Sequence, residues 1–310
     1  MGKMMSAFSK NEKGVAAHYT HGDLLNTINQ SLSKQGQTLA NTTPEQLTAM
    51  DEFHIGGRAA TIHLLNQAEL LSSLLNGNPK TSINQQISKP HWLDIGCGLG
   101  GTARYIASQY GLSVTGIDLT AEYLNVAQVI TEILLSNNAS KNGGLIGEIN
   151  FVEASALALP FADESFSGIS MLHVGMNISD KNKLFTEVYR CLRPGSPFLI
   201  YDVLKIEECD IQYPLPWASV AHNSHLSMLV EYQQALTTAG FEIVKVNNRR
   251  EFALDFFDEQ AEKIKLQGIK PVLSLHTLIQ DNGKEKFKNL IQQIKANVIA
   301  PIEIIVKKSA

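Results

Sequence analysis

The stretch LDIGCGLGGTARYIA, residues 93–107, is an apolar run that breaks into glycines and then resumes with helical spacing. This order predicts a β-strand, a tight turn and a helix. Glycines in such a turn let a ligand approach the backbone, and the helix N-terminus stabilises negative charge there. The stretch therefore predicts a ligand-binding loop and leaves open which ligand it holds.

The charge of Asp94 separates two classes of ligand. Gly96, Gly98 and Gly101 fit the dinucleotide spacing G-x-G-x-x-G. Asp94 would lie beside the pyrophosphate, and two unit charges ~4 Å apart cost about 4 kcal/mol at an effective dielectric near 20. That is about a thousandfold in affinity. S-adenosylmethionine has an ammonium and a sulfonium but no phosphate, so Asp94 favours it, whereas Asp118 suits the ribose of either ligand.

Strand-like and helix-like segments alternate from residue 91 onward. This alternation predicts an α/β protein with a Rossmann-like, doubly wound, mostly parallel sheet. Two later β-rich runs bring the predicted sheet to seven strands. The predicted strands are HWLDIG, SVTGID, EINFVE, GISMLHV, SPFLIYDV, FEIVKV and APIEIIVKK.

The regions outside the alternation predict a cap and a lid. Residues 1–76 have helical periodicity, with Leu24, Ile28 and Leu32 on one face, and we expect an N-terminal helical cap. Residues 77–310 are expected to form the cofactor-binding domain. Within it, residues 204–225 lack a clear period and are long enough to form a lid.

The composition indicates the kind of partner. Of 310 residues, 44% are hydrophobic and 18% charged, which is typical of a globular protein. The net charge of −4 argues against nucleic acid and anionic lipid. Three cysteines fit no disulfide or zinc pattern, and neither a signal peptide nor a run of ~20 apolar residues is evident. We expect a cytoplasmic protein that acts on a small molecule.

Several motifs resemble those of a known family. LDIGCGLGG, GIDLT, ALPFADESF and RCLRPG, spread over about residues 93–201, resemble class I S-adenosylmethionine-dependent methyltransferases. DEFHIGGRAAT, HVGMNISDK and YPLPWA are similar to the small-molecule branch related to sarcosine/dimethylglycine methyltransferases. The resemblance implies methylation of a small molecule, with S-adenosylhomocysteine as product, and leaves N-, O- and C-methylation open. The implied cofactor-binding residues are Asp94, Gly96, Cys97, Gly98, Gly100, Asp118, Leu119, Ser155, Ala156 and Leu172.

One departure from the family pattern affects the adenine. Relatives in this branch usually have Gly-Asp-Ala before the LPF element, and this chain has Ala154-Ser155-Ala156. The carboxylate that usually accepts from the adenine amine is therefore missing. The hydroxyl of Ser155 is expected to accept instead, more weakly than a charged group.

His173 and Asp202 are the predicted catalytic residues. They follow predicted strands four and five, whose carboxyl ends are neighbours in this fold, and an imidazole beside a carboxylate would serve as a base. Related small-molecule O-methyltransferases imply the same roles. The alternative is that His173 bonds a backbone carbonyl and Asp202 caps the following segment.

The expected substrate residues are less specific. Met176 and Asn177 would lie at the mouth of the site, and Tyr19, with Phe53 and His54, would cover it or pack in the core. Trp217 could wall the acceptor pocket, where its π-face would suit a cationic ammonium. Two histidine pairs have i, i+3 spacing but no converging third ligand, so no metal site is predicted. The pairs are His18 with His21 and His222 with His225.

Two alternative functions stay open. A nicotinamide-dependent oxidoreductase could use the same fold, but Asp94 disfavours it. A non-catalytic S-adenosylmethionine-binding protein is supported by Ser155 and opposed by the intact glycines and the His173–Asp202 pair.

Overall fold

The computed structural model describes residues 8–34, 36–68, 90–139, 147–267, 279 and 282–309. The predicted boundary at residues 76 and 77 lies outside these ranges. Within the described part of residues 1–76, where we expect the cap, the chain forms four α-helices. They are α1 (Lys10–Tyr19), α2 (Leu24–Ser33), α3 (Pro44–Asp51) and α4 (Gly57–Leu65).

The described residues form a sheet of seven strands in the order β3-β2-β1-β4-β5-β7-β6. Strands β1 to β5 pair in parallel, and β7 runs antiparallel to β5 and β6. The predicted fold class is therefore confirmed. The strands are β1 (His91–Ile95), β2 (Ser113–Asp118), β3 (Ile149–Glu153), β4 (Gly168–Leu172), β5 (Pro197–Lys205), β6 (Phe241–Asn248) and β7 (Ile299–Lys308).

Helices pack on both faces of the sheet, because the central strands are apolar on both sides. Leu93 and Ile95 of β1 belong to one buried cluster, while Trp92, the residue before Leu93, belongs to the cluster on the opposite face. The other α-helices in the described ranges are α5 (Gly101–Tyr110), α6 (Ala121–Ala139), α7 (Lys181–Cys191), α8 (Leu229–Ala239), α9 (Arg250–Gln267) and α10 (Gly283–Lys295).

The cap is held to the sheet domain by apolar packing. Leu24, Ile28 and Leu32 of α2 are buried in one cluster with Tyr123 and Ile130 of α6. The predicted apolar face of this helix is therefore the face that binds the cap to the domain.

The predicted lid begins later than expected. Residue Leu204 is buried within β5 and pairs with Ala300 of β7, so the irregular segment starts after Lys205. This segment contacts α1 and α10: His18 Nε2 donates to the carbonyl of Pro216 at 3.2 Å, and Asn289 Nδ2 donates to that of Pro214 at 3.1 Å. The segment therefore covers the edge of the sheet next to the cap.

Candidate active site

A cavity of about 150 Å³ lies at the carboxyl ends of the central strands, beneath α1 and the α3–α4 turn. The order of the strands reverses between β1 and β4, which is where ligands bind in sheets of this kind. The predicted residues that line this cavity are Tyr19, Asp94, Gly96, Cys97, Gly98, Asp118, Leu119, Ala156, Leu172, His173 and Asn177.

The glycine loop has two different steric requirements. Gly96 has φ +66°, and a Cβ there would lie 2.3 Å from Cγ2 of Val174. Gly98 has φ +52°, and a Cβ there would meet no atom within 4 Å, because it would enter the open cavity. Gly100 is not among the residues that line the cavity; a Cβ there would lie 2.6 Å from the ring of Phe151. Gly100 therefore serves packing rather than ligand approach.

Asp94 is a buried carboxylate with only one oxygen paired. Its Oδ1 accepts from Ser170 Oγ at 2.8 Å, and Ser170 in turn accepts from Trp92 Nε1 at 3.0 Å. Its Oδ2 is buried without a hydrogen-bond partner among the described residues. Burial raises the pKa of Asp94 to about 7, and the bond from Ser170 opposes that rise. Since buried polar atoms are normally paired, this oxygen fits a cationic ligand group.

Backbone N–H groups of the glycine loop and of the turn after β2 hold the carboxylate of Asp118 in place. Its Oδ2 accepts from Gly98 N at 3.1 Å and its Oδ1 from Thr120 N at 2.8 Å. Burial raises the pKa of this carboxyl, and the backbone bonds oppose the rise. Each oxygen keeps capacity for a further donor such as a ribose hydroxyl.

Cys97 is buried between the two glycines. Burial raises the pKa of its thiol well above the usual range. A thiol that stays protonated is a poor nucleophile, so the side chain fills space beside the ligand.

His173 lines both the cavity described above, which we call the main cavity, and a smaller second cavity next to it. Its φ is +55°, and its ring centroid lies 5.0 Å from that of Tyr201 and 6.0 Å from that of His54. Burial, with His54 nearby, lowers the pKa of His173 well below its usual value, so the ring is neutral at pH 7. Its Nε2 is buried with no hydrogen-bond partner in the described part of the chain.

The expected pairing of His173 with Asp202 is wrong. No hydrogen bond joins the two among the described residues; Asp202 accepts from Tyr232 Oη at 2.6 Å and from Val203 N at 3.0 Å. The reason is the two-residue period of β5. Tyr201 contacts His173, so Asp202, the next residue, points to the opposite face, and it does not line either cavity.

The second cavity, about 40 Å³, is apolar and shares Tyr19, Phe53, His54 and His173 with the first. Its other walls come from the turn after β4, the segment after β5, and α9 and α10. They include Met176, Trp217, Phe256, Phe257, Phe287 and Leu290. Burial lowers the pKa of His54 to about 4, and no Asp, Glu, Lys or Arg is among the described residues lining this cavity.

Ser155 does not occupy the expected place. It does not line the cavity among the described residues; its Oγ donates to Oε1 of Glu12 and accepts from Leu157 N at 3.0 Å. Glu12 itself lines the cavity, as do Asn11 and Val15 of the same helix. The sequence did not predict these residues, because none of the motifs that carry the resemblance falls on α1 and nothing in the α1 pattern marks a ligand site.

The histidines with i, i+3 spacing have other partners. His18 bonds the Pro216 carbonyl, and Asn11 Nδ2 donates to His225 Nε2 at 2.8 Å. In the described part of the chain no group of three or more potential ligands is suited to a metal ion. No described helix combines the length and the apolar character needed to span a membrane.

Comparison with known proteins shows that part of the sheet domain is similar to methyltransferases. Residues 93–200 match the family model described as a methyltransferase domain. An O-methyltransferase from Pyrenophora dematioidea is 30% identical over 156 residues, covering 50% of this chain and 55% of the relative. Norajmaline N-methyltransferase from Rauvolfia serpentina is 31% identical over 145 residues, covering 47% of this chain and 44% of the relative.

The fold is also shared with a solved structure. A candidate sarcosine dimethylglycine methyltransferase from Galdieria sulphuraria superimposes with a TM-score of 0.57 and 20% identity, covering 81% of this chain and 85% of that one. The chain spans about half the length of the curated relatives it matches. These comparisons confirm the resemblance to small-molecule methyltransferases and give an oxidoreductase no support.

Proposed function

We propose that this protein transfers a methyl group from S-adenosylmethionine to a small-molecule acceptor. The observation that carries the proposal is the buried Oδ2 of Asp94, which lines the main cavity and has no partner among the described residues. A dinucleotide would bring a phosphate to this carboxylate, whereas S-adenosylmethionine would bring an ammonium.

The residues around the cavity fit the whole cofactor. Asp94 would hold the ammonium and Asp118 the ribose hydroxyls. Leu119, Ala156 and Leu172 line the same cavity with apolar surface suited to a purine ring. Bound there, S-adenosylmethionine supplies an electrophilic methyl carbon, and the sulfur keeps the electron pair of the broken bond as S-adenosylhomocysteine is formed.

We propose that His173 accepts the proton that a hydroxyl acceptor loses. Its lowered pKa keeps the ring unprotonated, and Nε2 has no other bond in the described structure. The acceptor's lone pair would form the new bond to the methyl carbon while its proton passes to Nε2. Asp202 takes no part in this step; we assign it to fixing the turn after β4, where its Oδ2 lies within 2.3 Å of the position that a Cβ on Gly175 would take.

The second cavity is the proposed acceptor site. Its walls are aromatic and aliphatic, and both of its histidines have lowered pKa values. Burying a charged group there without a partner would be costly. We therefore infer an uncharged acceptor with an apolar body, held beside Tyr19 and Trp217, rather than a zwitterionic amino acid such as sarcosine.

We also propose that the protein is cytoplasmic and that its partner is a small molecule. The three cysteines are unpaired, with Cys97 and Cys191 buried, which supports a reducing compartment such as the cytoplasm. The net charge of −4 supports a small molecule over nucleic acid.

The decisive experiment is to incubate the protein with methyl-labelled S-adenosylmethionine and a metabolite extract, and to identify the labelled product. Thermal shift with S-adenosylhomocysteine and NADH accompanies it, because a ligand at 100 times its Kd stabilises the fold by about 2.7 kcal/mol. Stabilisation by NADH alone would overturn the proposal. Stabilisation by S-adenosylhomocysteine with no labelled product from any extract would favour the non-catalytic alternative.

A further inference from the structure

Glu12 and Ser155 meet at one end of the main cavity, although they lie far apart in the chain. Ser155 Oγ donates to Glu12 Oε1, and Glu12 Oε2 accepts from the backbone N of Ser9 at 2.8 Å. Glu12 lines the cavity and Ser155 does not. A carboxylate oxygen has more than one acceptor position, so Oε1 can take a second donor from the cavity.

The charge of Glu12 suits it to this position. Burial raises the pKa of its carboxyl, but hydrogen bonds from Ser155 and Ser9 outweigh that effect, and the pKa is lowered overall. The group is therefore ionised at neutral pH and accepts hydrogen bonds only. The Ser155 hydroxyl donates its hydrogen bond to Glu12 and accepts one from Leu157 N. It is therefore not the acceptor available to a ligand.

We propose that Glu12, brought to the cavity by α1 and positioned by Ser155, is the residue that accepts from the exocyclic amine of the cofactor's adenine. The proposal rests on the proposed function. The segment after β3 has no carboxylate for this role, and under the proposal the cap supplies one. Asn11, Val15 and Tyr19 line the same cavity, so α1 forms part of the cofactor site rather than only covering it.

Discrimination between two bases tests the proposal directly. S-inosylhomocysteine carries an oxygen in place of the adenine amine, and a carboxylate would repel that oxygen. We expect the wild type to bind S-adenosylhomocysteine at least about tenfold more tightly than S-inosylhomocysteine in calorimetric titration. Glu12→Gln should lose this preference, because with its oxygen bonded to Ser9 N the amide turns a donor instead of an acceptor toward the base.

A matched control separates this effect from damage to the helix. In the Glu12→Gln variant the remaining side-chain oxygen can still accept from Ser9 N, so the start of α1 is preserved. The control residue is Glu45, which lies in the first turn of α3. It is exposed and is not among the described residues that line the cavity. Glu45→Gln should leave both affinities unchanged.

A swap of the carboxylate gives the second test. Ser155→Asp alone puts two carboxylates together and should weaken S-adenosylhomocysteine binding. The double variant Glu12→Gln, Ser155→Asp restores a single carboxylate and should recover the affinity and the preference for adenine. Recovery would support the proposal, because a merely structural contact would not regain base discrimination.

The outcomes separate the two proposals. If the wild type binds neither nucleoside, the proposed function fails. If it binds S-adenosylhomocysteine and Glu12→Gln leaves the adenine preference unchanged, or weakens both ligands equally, only the role of Glu12 is overturned.

Discussion

Ser170 of β4 and Asp94 of β1 are cross-strand partners, and the serine hydroxyl donates to only one of the two carboxylate oxygens. The other oxygen is left buried without a protein partner among the described residues. The chain thus keeps an arrangement that costs stability in the free protein, as buried unpaired polar atoms do. Such a cost is understandable where a ligand supplies the missing partner.

Asp94→Asn should weaken binding of S-adenosylhomocysteine at least about a hundredfold, because the amide cannot neutralise the ligand's ammonium. Its oxygen can still accept from Ser170, so the fold should persist. Calorimetric titration measures the affinity. Asp255→Asn, an exposed change on α9, is the control. Unchanged binding by Asp94→Asn would mean that the ammonium lies elsewhere.

The pH dependence of cofactor binding should follow the raised pKa of Asp94. Because its pKa in the free protein is about 7, affinity for S-adenosylhomocysteine should fall about tenfold per pH unit below 7. Asp94→Asn should show a flatter profile. An identical slope in both proteins would assign the titration to another group.

The same shift has the opposite effect on the stability of the ligand-free protein. A carboxyl whose pKa is raised in the folded state contributes stability below about pH 4, and that contribution is lost as the pH rises through 7. Asp94→Asn should therefore unfold at higher denaturant concentration than the wild type at pH 8, and the difference should shrink toward pH 4. A variant less stable than the wild type at pH 8 would contradict this sign.

Gly98→Ala should weaken cofactor binding more than it weakens the fold. Its φ of +52° costs an alanine about 1–2 kcal/mol, and the added methyl group enters the cavity. Gly195 has φ +75° and equally open space, but it does not line either cavity among the described residues. Gly195→Ala should therefore show a similar loss of stability in urea with unchanged binding. Equal binding losses in both variants would make the effect indirect.

The sequence predicted the sheet and its central carboxylates because both depend on local order. Alternation of strands and helices predicts parallel pairing. An acidic residue at the carboxyl end of such a strand lies at the edge of the sheet where ligands bind, and this does not depend on the conformation of the loops. Asp94 and Asp118 accordingly line the main cavity, near the carboxyl ends of β1 and β2.

Other features depend on distant contacts that one sequence does not show. Glu12 meets Ser155 only because the cap folds back over the sheet, and the aromatic residues of α9 and α10 reach the second cavity through helix packing. The sequence predicts His173 and Asp202 at the ends of adjacent strands, but β5 continues to Lys205 and turns Asp202 to the face opposite Tyr201, which contacts His173. His173 also adopts a positive φ that no local pattern indicated.

Tyr232→Phe tests the structural role of Asp202. Removing the donor leaves a buried carboxylate less satisfied, which should cost about 1–3 kcal/mol of unfolding free energy. Burial already raises the pKa of Asp202 to about 6 against the bond from Tyr232, so the variant should raise it further. The loss should therefore be larger at pH 8 than at pH 5 in urea titrations, with binding of S-adenosylhomocysteine unchanged. A loss of binding instead of stability would return Asp202 to the active site.

His173→Asn tests the proposed base. Asparagine adopts positive φ more readily than most residues, so the turn should fold, but it cannot accept the proton at neutral pH. Turnover of the labelled acceptor should fall about 10²–10⁴-fold if that acceptor loses a proton on methylation. Affinity for S-adenosylhomocysteine should stay within about twofold, because Asp94 and Asp118 are untouched. Full turnover on a hydroxyl acceptor would show that another group, or water, removes the proton.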